Sequence, residues 1–218
     1  MSTIRGLEFD ISKMTQEDLA TDNLWGQNCI AFNIQADLKP QAIAALVSVQ
    51  IMLDIELPGQ YIIPSNAMHI SVLNIIHSRS TLTDEAKSIR WKDNKHLWLR
   101  TISDVVQYTK PFGVKLNNVV AVPSGILVAA NECKELIALR QRLVTSLKLD
   151  MIIPELCHVT ILRFSNLIPD INKIRQVIDN LNIDIFTCIS EVRISRELVY
   201  PSLKSETVYL YDLSKGNI

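Results

Sequence analysis

Several common signatures are missing from this sequence, and each gap removes a class of chemistry. The four cysteines, Cys29, Cys133, Cys157 and Cys188, are far apart and form no Cys-x-x-Cys. They read as buried thiols of a reducing compartment, not as a disulfide framework. No His-x-x-x-His occurs either, so no metal-ligand spacing exists, and neither a metal nor another cofactor is expected. The glycines are scattered and build no phosphate loop or dinucleotide fingerprint. With a net charge of −1 there is no basic excess, which argues against a grip on long duplex nucleic acid. The most apolar run, Ala42 to Leu57, is interrupted by Gln50 and Asp54 and is too short to span a bilayer. The first residues carry Arg5, Glu8, Asp10, Lys13, Glu17 and Asp18, so they hold no apolar leader core. A cytoplasmic protein without a membrane partner is the expectation.

What remains is a chain rich in aliphatic residues, 21% charged and free of low-complexity stretches. That is the composition of a folded protein, and 218 residues suffice to bury a core. One short stretch occurs twice: Met68-His69-Ile70-Ser71-Val72 and, 89 residues later, Cys157-His158-Val159-Thr160-Ile161. Both copies follow an Ile-Ile-Pro, at Ile62-Ile63-Pro64 and Ile152-Ile153-Pro154. The alternation predicts two half-buried strands, with His69 and Ser71 on one face and Met68, Ile70 and Val72 on the other. His158 and Thr160 repeat the arrangement against Cys157, Val159 and Ile161.

The flanking elements also come in two rounds. Residues 1–27 read as an extension, with a short helix opening at Thr15. A strand over Cys29–Ile34 leads to a helix capped by Asp37, with Pro40 in its first turn and Ile43, Leu46, Val47 and Leu53 on one face. Pro58-Gly59 stops it, and the first motif strand spans about 67–76. A second helix runs from Thr83-Asp84 toward Tyr108, with a break expected at Asp93-Asn94, and 114–122 reads as one strand. After Pro123-Ser124-Gly125 the order starts again. It comprises a strand over 126–130, a helix capped by Asn131 with Leu136, Leu139, Leu143 and Leu147 on a stripe, and the second motif strand over 156–164. A helix opened by Pro169-Asp170, with Ile171, Ile174, Val177, Ile178 and Leu181 inward, and strands near 184–195 and 206–213 follow. The expected fold is α+β and bilobal, a single domain over 28–218. Two helix-backed, largely antiparallel sheets enclose a cleft, and the repeat breaks near 123–125.

Two imidazoles offered from opposite lobes suit in-line displacement at a phosphodiester. One takes the proton of the attacking oxygen while the other protonates the leaving oxygen on the far side of phosphorus. Ser71 and Thr160 are placed to donate hydrogen bonds to the non-bridging oxygens. Neither a metal nor a covalent nucleophile is required. These paired His-x-(Ser/Thr)-apolar motifs resemble the 2H phosphoesterase superfamily, which includes 2′-5′ RNA ligase-like proteins and cyclic nucleotide phosphodiesterases. The resemblance covers about 28–213. It implies the bilobal fold, chemistry at 2′-linked or 2′,3′-cyclic phosphates, His69 and His158 as acid and base, and Ser71 and Thr160 as phosphate ligands. Cys157 stands where many relatives have proline before the second histidine. A nucleotide or short RNA is the expected substrate, and a nucleotide- or RNA-binding module with little turnover is the competing reading.

Other residues stay outside this site. His77 and His96 do not repeat the motif and read as structural or solvated. Cys157, beside His158, points the other way and reads as core. Arg163 falls on the face opposite His158 by strand parity, unless a bulge intervenes. Trp25, Tyr61 and Tyr209 offer rings for stacking on a base, with ordinary packing as the alternative.

Overall fold

The structure is a computed structural model, described here for Gly6 and for residues 10–151 and 153–213. Parts of the extension (1–5 and 7–9), Ile152 of the second Ile-Ile-Pro, and residues 214–218 lie outside the described residues.

Among the described residues, alternating and β-branched stretches form ten strands: β1 (Asn28–Asp37), β2 (Tyr61–Ile62), β3 (His69–Ile76), β4 (Phe112–Leu116), β5 (Asn118–Val122), β6 (Gly125–Ala129), β7 (His158–Arg163), β8 (Ile185–Ile189), β9 (Glu191–Val199) and β10 (Lys204–Asp212). Four helices separate them: α1 (Pro40–Glu56), α2 (Asp84–Val106), α3 (Lys134–Leu147) and α4 (Ile171–Asp179). One antiparallel sheet has the order β10-β9-β1-β3 and a second has β2-β7-β6-β5, while β4 and β8 pair separately. The α+β, two-sheet architecture is therefore as expected. The lobes are not the two halves of the chain, however. The last strands, β9 and β10, complete the first sheet, and β2 crosses to the edge of the second.

Local differences have local causes. Asp37 does not cap α1; it ends β1, where its carboxylate pairs with Arg193 at 3.2 Å, and Lys39 holds the cap position. Asn131 does not cap α3, which starts after Cys133; its side chain instead accepts from Asn118 at 2.7 Å. α2 is unbroken at Asp93-Asn94 because Trp91, Trp98, Ile102 and Val105 keep one buried face through that point. The stretch 114–122 divides at Asn117 into β4 and β5, which join different sheets. The short helix expected at Thr15 is a single 3₁₀ turn, Gln16–Asp18.

A continuous apolar core runs between the sheets and helices, from Leu46 and Leu53 of α1 through Ile70, Leu73 and Ile102 to Leu139, Val159 and Phe164. Residues 10–27 run along the second lobe. Met14 and Leu19 are buried there, and Arg175 donates to the Met14 carbonyl at 2.6 Å. The amides of Ala20 and Asp22 donate to Pro123 O and Phe164 O at 2.7 and 3.0 Å. The segment then reaches the first lobe, where Gly26 N donates to Tyr200 O at 2.8 Å.

Candidate functional site

The two motif strands approach each other across the lobes, β3 from the first sheet and β7 from the second. His69, Ser71, His158 and Thr160 all line one cleft of about 320 Å³. Ile70, Val72, Val159 and Ile161 are buried on the opposite faces, as the alternation requires. All four expected site residues are thus brought together.

Each motif strand then does the same unexpected thing. Gln35 lies opposite Ser71 and Ile34 opposite Leu73, so Val72 is an extra residue in β3. Leu127 lies opposite Thr160 and Ile126 opposite Leu162, so Ile161 is an extra residue in β7. A bulge shifts the side-chain parity by one. Beyond it, Asn74 and Arg163 turn toward the cleft and line it. The parity argument that put Arg163 on the far face is corrected by this bulge. Its signal was in the sequence: the doubled apolar pairs Val72-Leu73 and Ile161-Leu162 break strict alternation. Gly125, opposite Arg163, accommodates the distorted strand; a Cβ there would come within 2.2 Å of the Leu162 carbonyl oxygen.

Under the cleft lies Arg140, 2% exposed, on the buried stripe of α3. Its guanidinium donates to the carbonyls of Ser71 (2.6 Å), Val72 (2.9 Å), Pro154 (2.7 Å) and Leu156 (3.1 Å). It ties the first motif strand to the approach of the second. Burial holds its pKa below the usual arginine range. The sequence reading missed it, although an arginine on a stripe of leucines is a visible anomaly.

His69 is oriented from both ring nitrogens. The Ala67 carbonyl, 2.8 Å from Nδ1, can only accept, so Nδ1 carries the proton. Nε2 is then a bare acceptor facing the side-chain amide of fully buried Gln35 at 3.2 Å. Arg193 Nε donates to Gln35 Oε1 at 3.4 Å, and Gln35 Nε2 also donates to Ser202 Oγ at 3.1 Å, which fixes the amide with its NH₂ toward the histidine. Burial is the main cause that pulls His69 down to about 4, and the Arg193 charge acts in the same direction. His158 is also drawn down to about 4, first by burial and then by the charges of Arg140 and Arg163. The Leu156 carbonyl, two residues back as Ala67 is from His69, acts in the opposite direction, without reaching full hydrogen-bond geometry at the buried Nδ1.

One wall of the cleft is polar. Glu197, 4% exposed, accepts from Asn33 Nδ2 at 3.2 Å and from Ser202 N at 2.6 Å, and burial raises its pKa. His77 sits at the rim, its Nδ1 accepting from Arg79 N at 2.9 Å, while His96 is exposed on α2. Cys157 is core, as read; its thiol meets that of Cys133, a contact that with burial pushes the Cys157 thiol up. Of the three aromatic candidates, Trp25 and Tyr61 stack on each other, with centroids 4.7 Å apart and planes 5° from parallel. Tyr209 leans on Tyr211 on the outer strand β10.

Comparison with solved structures gives the fold independently. TT0787 of Thermus thermophilus superposes with a TM-score of 0.64 at 14% identity, over 86% of this chain and 100% of that one. E. coli LigT complexed with 3′-AMP gives 0.59 at 10% identity, over 85% and 99%. A structure described as a phosphoesterase gives 0.58 at 10%, also over 85% and 99%. The chain has the LigT-like fold. No family model and no curated protein sequence matches it. The α+β fold expected from the paired motifs and the LigT-like fold were reached from separate observations, and the two folds agree. Among the described residues no helix is long and apolar enough to cross a membrane.

Proposed function

We propose that this protein is a metal-independent 2H-type phosphodiesterase acting on 2′,3′-cyclic or 2′-5′-linked phosphates of nucleotides or RNA ends. The observation that carries this reading is the convergence of two His-x-(Ser/Thr) pairs, from separate sheets, on one cleft. His69 serves as base and His158 as acid. The Gln35 amide facing His69 Nε2 opposes a proton there, so the singly protonated pair keeps its proton on His158. Ser71 and Thr160 donate to the non-bridging oxygens, and the buried Arg140 adds positive potential beneath them. The fold relative LigT has been crystallised with 3′-AMP, which supports a nucleotide-sized ligand.

The test is turnover of a 2′,3′-cyclic nucleotide in EDTA. His69→Ala and His158→Ala should each lower kcat/KM by about 10² or more, with the double change far short of the product. Since both imidazoles sit near 4, kcat/KM should climb as pH falls below 7 and pass through a maximum on the acid side. An entering phosphate stabilises the charged imidazole, so the kcat optimum should lie nearer neutrality. A rate rising steadily to high pH would remove the acid from the scheme. The low histidine values also favour the second reading, a nucleotide- or RNA-binding module with little turnover. Tight binding without turnover in EDTA at any pH would select it.

A further inference from the structure

The end of the cleft away from the histidines is built differently from the reacting end. Arg163 lines the cleft, with Nη1 donating to Ser124 Oγ at 2.8 Å and Nε lying 3.5 Å from Asp22 Oδ2. Arg79, half exposed, reaches the other oxygen of Asp22 at 3.5 Å and donates to Tyr200 OH at 3.1 Å. Two guanidinium groups thus converge on one fully buried carboxylate, leaving one surplus positive charge. Arg79 Nη2 and Leu24 N donate to Asp22 Oδ1, whereas buried Arg163 Nε and Asp22 Oδ2 face each other without a hydrogen-bond partner among the described residues.

Beside these charges stands the aromatic pair. Tyr61 lies directly across the sheet from Arg163, and Trp25 is three residues beyond Asp22. The rings are parallel and both remain partly exposed. His158 and Arg163 are five strand positions apart, roughly 15 Å at ~3.3 Å per residue.

Resting on the phosphodiesterase reading, we propose that this end is a second subsite for a single-stranded oligonucleotide. It takes the nucleoside next to the one that carries the reacting phosphate. The base of that nucleoside lies on the Trp25–Tyr61 platform, and its phosphate meets the Arg79–Arg163 surplus charge. Flat ring faces with a flanking cation are what unpaired nucleic acid uses when sequence is not read. The natural substrate class is therefore an RNA end, not a free mononucleotide.

The experiment compares two substrates in EDTA, a 2′,3′-cyclic mononucleotide and a short oligoribonucleotide ending in the same cyclic phosphate. Stacking of one base on one ring predicts a kcat/KM ratio of roughly 5- to 150-fold in favour of the oligonucleotide. Trp25→Ala should bring that ratio close to one, and Trp25→Phe, which keeps a packed ring, should preserve most of it. A second measurement needs no turnover: an oligonucleotide ending in a 3′-phosphate should quench the tryptophan fluorescence of the full chain, and Trp25→Phe should abolish the quenching. Arg79→Gln should lessen the salt dependence of that binding by about one counterion. A ratio near one in the unmodified protein, no quenching, or equal quenching by the mononucleotide would each overturn the proposal. If neither substrate is turned over, the phosphodiesterase reading falls, and the quenching titration still decides this one.

Discussion

For the proposed phosphodiesterase, Gln35 offers a direct handle on which histidine would carry the catalytic proton. Its amide is fully buried and 3.2 Å from His69 Nε2, with Arg193 holding the amide oxygen the other way. Gln35→Glu keeps the shape and replaces a donor by an acceptor with a negative charge. At about 4 Å from the imidazolium and an effective dielectric near 20, that charge is worth ~4 kcal/mol, or ~3 pKa units. His69 should therefore rise from about 4 to roughly 7. The carboxyl and the imidazole will titrate as a pair, and the observed values belong to both. Gln35→Leu only removes one neutral donor, worth ~1 kcal/mol, and should lift His69 by less than one unit. Proton NMR of the imidazole C–H resonances reads this, with His69→Gln identifying the relevant signal. The rate gives a second, independent sign. With the proton drawn to His69 instead of His158, Gln35→Glu should lower kcat/KM between pH 5 and 7. A His69 that still titrates near 4 would refute the electrostatic reasoning, and a faster enzyme would reverse the acid and base.

Two further outcomes follow from the same buried charges. Both histidines have folded-state values near 4, below the ordinary 6.5. The folded state thus binds their protons less readily than the unfolded one. Their destabilising effect is close to nil well above pH 6.5 and grows as pH falls toward 4, to about 2–3 kcal/mol each at pH 4.5. Denaturant midpoints at pH 7 and 4.5 measure this loss, which His158→Gln should reduce. Arg140→Met strips a donor set from four carbonyls and should cost ~3 kcal/mol or more of unfolding free energy. Arg140→Gln should raise the His158 titration, since the guanidinium charge is among the causes that depress it.

The parts of this fold that were legible in the sequence are those governed by nearest-neighbour geometry. Alternation located β3 and β7, and therefore His69, Ser71, His158 and Thr160 on a shared face. Helical spacing located α1 to α4, with boundary errors where a capping side chain had another partner, as with Asp37 and Asn131. Pairing between distant strands was not legible, because nothing local to β2 or β9 states which sheet it joins. The surroundings of the histidines were invisible for the same reason. Gln35, Arg193, Asp22 and Arg79 come from separate stretches that only the folded sheets assemble.

The two bulges connect these levels. A bulge lets Asn74 or Arg163 enter the cleft, and the buried backbone carbonyl of the extra residue takes a side-chain donor. In β3 that residue is Val72, and its carbonyl takes Arg140 Nε from α3 at 2.9 Å. In β7 it is Ile161, and its carbonyl takes Gln50 Nε2 from α1 at 2.7 Å. Gln50 also reaches Ile63 O at 2.8 Å, as Arg140 also reaches Pro154 O. Each helix packs on a motif strand and donates to its bulge there. The duplication read from two five-residue motifs extends to their buried polar supports, even though the chemistry of those supports has diverged. Gln50 looked in the sequence like a flaw in an apolar run, and Arg140 like a stray charge on a leucine stripe. Both break the hydrophobic pattern because each donates from a buried helix position to main-chain carbonyls at a bulge, a bond that no apolar side chain can make.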